Sequence, residues 1–276
     1  MIKRILVTTD GSESAAIGVR YAVALARKQK ASILALHVVD VKLLEGPFLR
    51  DLSASLGAAP YVNYQGNIAM LLDERGKAAL EYAAKLCAEK GVPCETDMQT
   101  GIIPRVIVEK GELVDVIVMG RTGEHNDFLE GLIGSTTEAV VRRASAPVLV
   151  TGSDTPGADH FVLAYDGSTH ARKALKAGVT LASQGPRKMH LLVVGDRAAE
   201  EWLEEAKEYL QSHEIAIEYV PRTGDPGEVI VEYARECDAG LIVMGAYGHS
   251  KLRELVLGSA TSYTINHATC PVLLVR

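Results

Sequence analysis

An internal repeat constrains the fold of this chain more than any other feature of its sequence. The segment ILVTTDGSESA, beginning at Ile5, matches VLAYDGSTHA, beginning at Val162. Further along each copy, ASAPVLV from Ala144 matches ATCPVLLV from Ala268. With 276 residues, of which 47% are hydrophobic, the chain is long enough for more than one domain and for a substantial core. The repeat therefore predicts two halves built on one plan.

Each half alternates short apolar runs with amphipathic segments of helical length. The predicted strands of the first half are IKRILVT, ASILALHVV, VPCETDMQ, LVDVIVM and APVLV, and those of the second half are FVLAY, KMHLLVV, IAIEYV, LIVM and PVLLV. Near-continuous apolar strands separated by helices are typical of a parallel sheet covered on both faces. The predicted fold class is α/β, with two doubly wound parallel-sheet domains in tandem.

The boundary between the halves is predicted within TGSDTPGAD, residues 151–159, whose Gly, Pro and Asp content is typical of a linker. The predicted domains are therefore residues 1–152 and residues 159–276. The first domain is the longer one, because it carries an insertion at about residues 40–73. This insertion is interpreted as a lid, a partner-binding loop or a surface excursion.

Charge and composition argue against several classes of protein. The formal net charge is -6 and the Lys and Arg residues are dispersed, so no nucleic-acid partner is predicted. The apolar stretch at the N-terminus stops at Asp10, too early for a signal peptide or a membrane span, which predicts a cytoplasmic protein without a membrane partner. Four single cysteines, never paired as CxxC, are interpreted as core thiols: Cys87, Cys94, Cys237 and Cys270.

Two glycine-containing loops each follow an apolar strand and precede a helix. They are VMGRTGEHNDFLEGLIGSTTE, residues 118–138, and VMGAYGHSKLRELVLGSATS, residues 243–262. Free N–H groups and the helix dipole make such a junction favourable for phosphate. Asp10 and Asp166 end the first strand of each half, so a carboxylate and a loop meet in one crevice if the first and fourth strands are neighbours.

Two alternatives stay open for these residues. The glycines could be needed for positive φ or for close helix packing, without any ligand. Asp10 and Asp166 could cap the helices that follow them. His37 is expected to be a hydrogen-bonded core residue, and Trp202 to pack on an amphipathic helix without forming a site.

The two loops differ in charge between their last two glycines. The first loop carries -3 and the second +1, from Glu124, Asp127 and Glu130 against Lys251, Arg253 and Glu254. A unit charge about 5 Å from a phosphate contributes roughly 3 kcal/mol at an effective dielectric of ~20. Arg121 is expected to offset the first loop in part. The second half is therefore the predicted nucleotide site.

The whole chain resembles a tandem universal stress protein. The resemblance rests on DGS after the first strand, HVVD at the second, VMG followed by G-x2-G-x9-G-S, and a closing (A/C)PVL strand. It implies a Rossmann-like, adenine nucleotide alpha-hydrolase-like fold in both halves. The first half departs from the pattern, because ten residues rather than nine separate Gly123 from Gly134.

The resemblance also implies a ligand, ATP or ADP or AMP, with Mg²⁺. In the family's ATP-binding members, backbone near the second strand holds adenine, and the first-strand Asp and the glycine loop hold ribose and phosphates. In the second half this implies Ala164, Tyr165, Asp166, Val194, Met244, Gly245, Gly248, His249, Gly258, Ser259, Ala260 and Thr261. In the first half it implies Thr8, Thr9, Asp10, Val38, Met119, Gly120, Gly123, Gly134, Ser135, Thr136 and Thr137.

Three functions are compatible with these residues. The first is a nucleotide-responsive stress or signalling protein, in which ATP occupancy changes the surface offered to a protein partner. The second is a slow ATPase or a phosphoryl or nucleotidyl transferase, with Ser259 as a possible phosphate acceptor; no catalytic residue and no metal ligand is assigned. The third is a nucleotide-free interaction scaffold. The two halves are expected to form an intramolecular pseudo-dimer through APVLV and PVLLV, with a homodimer of chains left open.

Overall fold

The computed structural model describes residues 2–45, 61–123, 133–152, 159–183, 188–248 and 257–276. Its strands are β1 (Arg4–Thr8), β2 (Ser32–Asp40), β3 (Cys94–Gly101), β4 (Val116–Gly120), β5 (Val148–Thr151), β6 (Phe161–Ala164), β7 (Met189–Val194), β8 (Ile217–Arg222), β9 (Ile242–Gly245) and β10 (Val272–Val275). Its helices are α1 (Glu13–Gln29), α2 (Val41–Glu45), α3 (Tyr61–Glu89), α4 (Ile103–Lys110), α5 (Ser135–Val141), α6 (Thr169–Ala182), α7 (Arg197–Leu210), α8 (Pro226–Glu236) and α9 (Ser259–His267). A short 3-10 helix, Gly111–Leu113, follows α4.

The described strands form one sheet in the order β3-β2-β1-β4-β5-β10-β9-β6-β7-β8. Each half contributes five strands that are parallel to one another, with β1 between β2 and β4 and β6 between β7 and β9. The closing strands β5 and β10 pair antiparallel, with Val150 opposite Val272 and Val148 opposite Leu274. The predicted α/β class is confirmed, and the antiparallel pair joins the two strands that the sequence expects to meet.

The apolar strands are buried because helices cover both faces of the sheet. Ile5 and Val7 belong to one core cluster, which includes Val19 of α1 and Leu175 of α6. Leu6, between them in the strand, belongs to the opposite cluster with α4, α5, α8 and α9. All residues of β4 and β7 are buried, as the continuous apolar runs predict. The polar strands β3 and β8 lie at the two edges of the sheet.

The DGS motif builds the turn from the first strand into the first helix of each half. Gly11 and Gly167 adopt φ values of +84° and +70°, which favour glycine. Ser12 is the N-cap of α1 and accepts a hydrogen bond from the Ala15 N–H, and Ser168 does the same for α6. The motif is thus explained locally by a tight turn followed by a capped helix.

The insertion of the first half is helical where the structure describes it. Val41–Glu45 forms α2, and α3 begins at Tyr61 and continues past the insertion for 29 residues in all. Residues 46–60, and residues 153–158 of the predicted linker, lie outside the described residues. The 1–152 and 159–276 domain limits therefore stay predictions.

Candidate functional site

Two cavities open at the carboxyl ends of the strands, one in each half. The first has a volume of about 250 Å³ and lies where β1 and β4 end side by side. The second has a volume of about 310 Å³ and lies where β6 and β9 end side by side. The condition set by the sequence analysis, that the first and fourth strands are neighbours, is therefore met in both halves. This is the place where open α/β sheets bind ligands.

Each set of predicted site residues lines one of these cavities. The first cavity brings together Thr8, Thr9, Asp10, Val38, Met119, Gly120, Gly123, Gly134, Ser135, Thr136 and Thr137. The second brings together Ala164, Tyr165, Asp166, Val194, Met244, Gly245, Gly248, Gly258, Ser259, Ala260 and Thr261. His249 lies outside the described residues. Residues far apart in the sequence thus converge as two matching surfaces.

The strand-end aspartates join the DGS turn to the glycine loop. Oδ1 of Asp10 accepts a hydrogen bond from the Ser12 N–H at 2.9 Å, and Oδ1 of Asp166 accepts one from the Ser168 N–H at 3.0 Å. The second oxygen, Oδ2, faces the loop, because a Cβ added to Gly123 or Gly248 would lie 3.0 Å from it. The N-caps of α1 and α6 are the serines, so the suggestion that the aspartates cap these helices is wrong.

Six glycines of the two loops lie within the described residues: Gly120, Gly123, Gly134, Gly245, Gly248 and Gly258. None of them has a positive φ, so backbone conformation does not require glycine there. Gly120 and Gly245 are required by packing: a Cβ on Gly245 would lie 2.9 Å from the Ala171 nitrogen, and one on Gly120 would lie 2.7 Å from the Ser14 carbonyl carbon. The close-packing alternative is therefore correct for the first glycine of each loop.

Neither a positive φ nor close packing against a described residue explains the last glycine of each loop. Gly258 has φ -57° and ψ 146°, and Gly134 has φ -64° and ψ 142°, which any residue adopts. A Cβ on Gly258 would have Thr261 Oγ1 at 3.4 Å as its nearest neighbour, followed by the Gly248 nitrogen at 3.8 Å. These contacts are close to ordinary van der Waals distances. No described residue fills this position, which lies on the wall of the cavity.

The helices that begin at these glycines lack side-chain caps. Gly134 and Gly258 are the N-caps of α5 and α9, and neither has a side chain that could accept a hydrogen bond from the first turn. By contrast, serines cap α1 and α6 in the same sheet. The N-terminal dipole and the N–H groups of α9 are thus presented at the second cavity, an arrangement suited to an anion.

The predicted threonines Thr137 and Thr261 hold the loop and helix together. Thr137 donates a hydrogen bond to the Gly120 carbonyl at 3.0 Å, and Thr261 donates one to the Gly245 carbonyl at 3.4 Å. Both side chains are buried. Each threonine therefore links the first turn of its helix to the end of the fourth strand. The hydrogen bond holds the two ends of the glycine loop at a fixed distance from each other.

The family profile of the universal stress proteins matches residues 1–152 and 192–276 of the chain. The chain belongs to this family. A universal stress protein of Synechocystis is 31% identical over 290 aligned residues, which cover all of both chains. A second, from Mycolicibacterium smegmatis, is 25% identical and covers 99% of this chain and 96% of its own. A solved universal stress protein of Archaeoglobus fulgidus covers 99% of this chain and 98% of its own with a TM-score of 0.79 and 21% identity, which shows a shared fold.

Several residues of this universal stress protein line the cavities although the sequence analysis did not assign them. Trp202, Tyr247, Pro226 and Ile230 line the second cavity, and Trp202 also packs against the hydrophobic core, as expected. The signal that could have found it is its position on the helix directly after the second strand. In the first cavity, the unassigned lining residues include His37, Asp40, Leu43, Leu72, Arg75, Ile103 and Ile107.

His37 and Arg75 give the first cavity a different chemistry from the second. His37 is buried and its Nδ1 lies 2.8 Å from the Thr9 carbonyl oxygen, so it is the hydrogen-bonded residue that was expected, but it also lines the cavity. Arg75 comes from α3, at the end of the insertion, and is exposed at the first cavity. A basic side chain therefore reaches this cavity from a helix and not from the glycine loop.

Arg121 contacts the other half of the protein. The acidic residues that it was expected to offset in part lie outside the described residues, so that expectation stays a prediction. The Arg121 guanidinium donates hydrogen bonds to the carbonyls of Asn266, at 3.0 Å, and Ala268, at the end of α9. Burial lowers the pKa of Arg121. In the opposite direction, the Tyr247 hydroxyl donates to the Arg142 carbonyl at the end of α5, at 3.1 Å. Each glycine loop thus stabilises the C-terminus of the other half's helix.

The charged loop residues behind the predicted preference for the second half cannot be placed. Glu124, Asp127, Glu130, Lys251, Arg253 and Glu254 all lie outside the described residues.

Within the part of the chain that the structure describes, no cluster of three or more His, Cys, Asp or Glu is suited to a metal ion. No described helix is both long and apolar enough to cross a membrane.

Proposed function

We propose that this universal stress protein binds an adenine nucleotide in its second cavity and presents a different surface to a protein partner when the nucleotide is bound. The observation that carries the proposal is the start of α9, where the N-cap, Gly258, has no side chain and is required neither by its conformation nor by contact with a described residue. The ligand would be ATP, ADP or AMP, with Mg²⁺ held by the phosphates.

The phosphates are assigned to the glycine loop for an electrostatic reason. Backbone N–H groups at Ser259 and Ala260 belong to the first turn of α9, which has no side-chain cap. Such groups bind phosphate favourably, and the absent Cβ at Gly258 leaves space for it. Gly248 and Gly258 line the same cavity, so a phosphate chain could contact backbone from both ends of the loop.

The nucleoside is assigned to the residues at the ends of β6 and β7. Asp166 presents a carboxylate there, which suits ribose hydroxyls or phosphate-bound Mg²⁺. Val194 ends β7, and the adjoining lining is apolar, with Leu192, Pro226 and Ile230, which suits a purine ring. This division agrees with the residues implied by the resemblance to the family's ATP-binding members.

Binding without rapid turnover is favoured by the composition of the described wall. Hydrolysis needs a positioned water molecule and positive charge near the γ-phosphate. Of the described residues that line the second cavity, none is Lys, Arg or His. The slow ATPase or transferase is therefore the second candidate, with Ser259 as the possible acceptor.

The two halves of the chain are proposed to act as an intramolecular pseudo-dimer in the cytoplasm. The antiparallel β5–β10 pair and the reciprocal contacts of Arg121 and Tyr247 support this. The first cavity is a second candidate nucleotide site, since the strand-end aspartate, the glycines and the start of the following helix line it as they line the second cavity.

The test compares nucleotide binding and turnover in the same preparation. Protein stripped of nucleotide is dialysed against Mg-ATP, and ADP release is measured for the parent and for Gly258→Val. We expect saturable binding by the parent, lost in the variant, and equally slow ADP release from both. Release far above that of the variant would establish the enzyme, and γ-phosphate labelling lost in Ser259→Ala would establish the acceptor. If the parent binds no adenine nucleotide, the nucleotide-free interaction scaffold is the remaining candidate function.

A further inference from the structure

Trp202 covers the ends of two strands at the second cavity. A Cβ added to Gly167, just after β6, would lie 2.5 Å from Cδ1 of the indole. A Cβ added to Gly195, just after β7, would lie 3.4 Å from Cζ3, at the other end of the ring system. The indole therefore spans the distance between the two strand ends, and it lines the cavity together with Asp166 and Val194.

We infer that the indole of Trp202 stacks on the nucleobase and makes the second cavity selective for purine nucleotides. The inference rests on the proposed function and adds to it the residue that recognises the base. A flat aromatic surface between the ribose-side carboxylate of Asp166 and the apolar end of β7 is placed where the base of such a ligand would lie. Larger bases gain more from stacking on an aromatic ring than smaller ones because they share more surface with it.

A network of hydrogen bonds holds the helix that carries Trp202. The Tyr165 hydroxyl donates to Glu205 Oε1 at 2.6 Å, and the Arg172 guanidinium donates to both oxygens of Glu205, at 2.5 and 2.8 Å. Glu205 lies one turn after Trp202 on α7. Tyr165 itself follows β6 and lines the cavity. The network fixes α7 against β6 and α6, so the indole is positioned before a ligand arrives.

The first half has no counterpart of this platform among its described residues. A Cβ on Gly11, which corresponds to Gly167, would meet only Ala79 Cβ, at 3.8 Å. The described lining of the first cavity contains no Trp, Tyr or Phe, and instead contains His37 and Arg75.

The experiment uses the fact that Trp202 is the single tryptophan of the chain. Its fluorescence is followed while the full-length protein is titrated with ADP, CDP or tripolyphosphate, a probe without a base. We expect quenching by ADP at concentrations below those needed for CDP, and none from tripolyphosphate. Affinities for the three probes are then measured by calorimetry for the parent, Trp202→Leu and Trp202→Phe.

The variants separate base stacking from a structural role. Loss of the ring in Trp202→Leu should weaken ADP about tenfold and leave tripolyphosphate unchanged, whereas Trp202→Phe should retain most of the affinity for ADP. Equal ADP affinities in the parent and Trp202→Leu, or equal losses for ADP and tripolyphosphate, would overturn the inference and leave the proposed function intact. Absence of ADP binding by the parent would overturn both. The parent quenching experiment decides the matter if Trp202→Leu does not fold.

Discussion

The two glycines at opposite ends of the second loop should respond differently to the same substitution. At Gly245, an added Cβ would lie 2.9 Å from the Ala171 nitrogen and 2.9 Å from the His170 Cβ. The first of these is backbone of α6 and cannot rotate away, so the helix must shift. Overpacking of this kind costs about 1–3 kcal/mol. Gly245→Ala should therefore lower the melting temperature by about 2–12 °C in a protein of this size.

Gly258→Ala should cost little stability and much affinity. The nearest neighbour of the new Cβ would be Thr261 Oγ1, at 3.4 Å, and φ at -57° suits alanine. Alanine is a poorer N-cap than glycine, which lowers the stability of the folded protein. Alanine also reduces the conformational entropy of the unfolded chain, which raises the stability. Each effect is about 0.5–1 kcal/mol, so the two largely cancel. Because the Cβ would occupy the space assigned to phosphate, we expect at least a tenfold loss of Mg-ATP affinity, a cost of about 1.4 kcal/mol or more.

The assay pairs differential scanning calorimetry with titration calorimetry on the parent and both alanine variants. The account predicts that Gly258→Ala melts within about 2 °C of the parent and binds nucleotide weakly, since a net change below about 1 kcal/mol shifts melting by only a few degrees. An early transition for Gly258→Ala would mean that packing, and not a ligand, selects this glycine. Unchanged affinity in a folded Gly258→Ala would refute the assignment of phosphate to the loop.

The remaining predictions concern contacts that hold the elements around the cavities. Arg121→Met should lower the free energy of unfolding by about 3 kcal/mol, since two charge-assisted hydrogen bonds to carbonyls of the other half are lost; urea unfolding that is unchanged would show that the contact contributes nothing. Tyr247→Phe removes one bond to the Arg142 carbonyl and should cost about 1 kcal/mol in the same assay. Hydrogen bonding to Arg172 lowers the pKa of Glu205 from 4.5 to about 2, so its stabilising contribution is complete above pH 4.5 and is lost as the pH falls toward 2. The stability difference between the parent and Glu205→Gln should shrink over that range, and a constant difference would contradict the ion pair.

Sequence pattern was sufficient for the fold because burial on both faces leaves a strong signal. The continuous apolar runs LVDVIVM and KMHLLVV became β4 and β7, which are buried throughout. The repeated DGS motif located the strand-to-helix turns, because positive φ at Gly11 and Gly167 and the N-caps at Ser12 and Ser168 are local requirements. Once β1 and β4 are known to be neighbours, the convergence of the predicted residues on the cavity follows from topology.

Contacts between distant segments could not be predicted in the same way. The sequence shows Arg121 next to a phosphate-loop glycine, but its partners, Asn266 and Ala268, lie about half the chain away. The sequence also does not show which glycines are selected by packing, because that depends on how closely α6 approaches Gly245. The position of Trp202 at the cavity was missed for a related reason: the amphipathic pattern identifies the buried side of α7 but not the cavity beside it.

The insertion was found by length and composition, which do not show what its residues contact. Its last part belongs to α3, Tyr61–Glu89, which carries Leu72 and Arg75 to the first cavity. The helix α3 begins in the insertion, which the second half lacks, and continues into the part of the fold that both halves share. The two cavities differ mainly in which helix covers the strand ends, α3 in the first half and α7 in the second.

One adenine nucleotide is proposed to bind in the second cavity. Titration calorimetry of nucleotide-stripped protein with Mg-ATP gives the number of sites per chain, for the parent, Gly134→Val and Gly258→Val. We expect saturable binding by the parent that persists in Gly134→Val and loses a site in Gly258→Val. No saturable heat from the parent, or an unchanged number of sites in a folded Gly258→Val, would contradict the proposal.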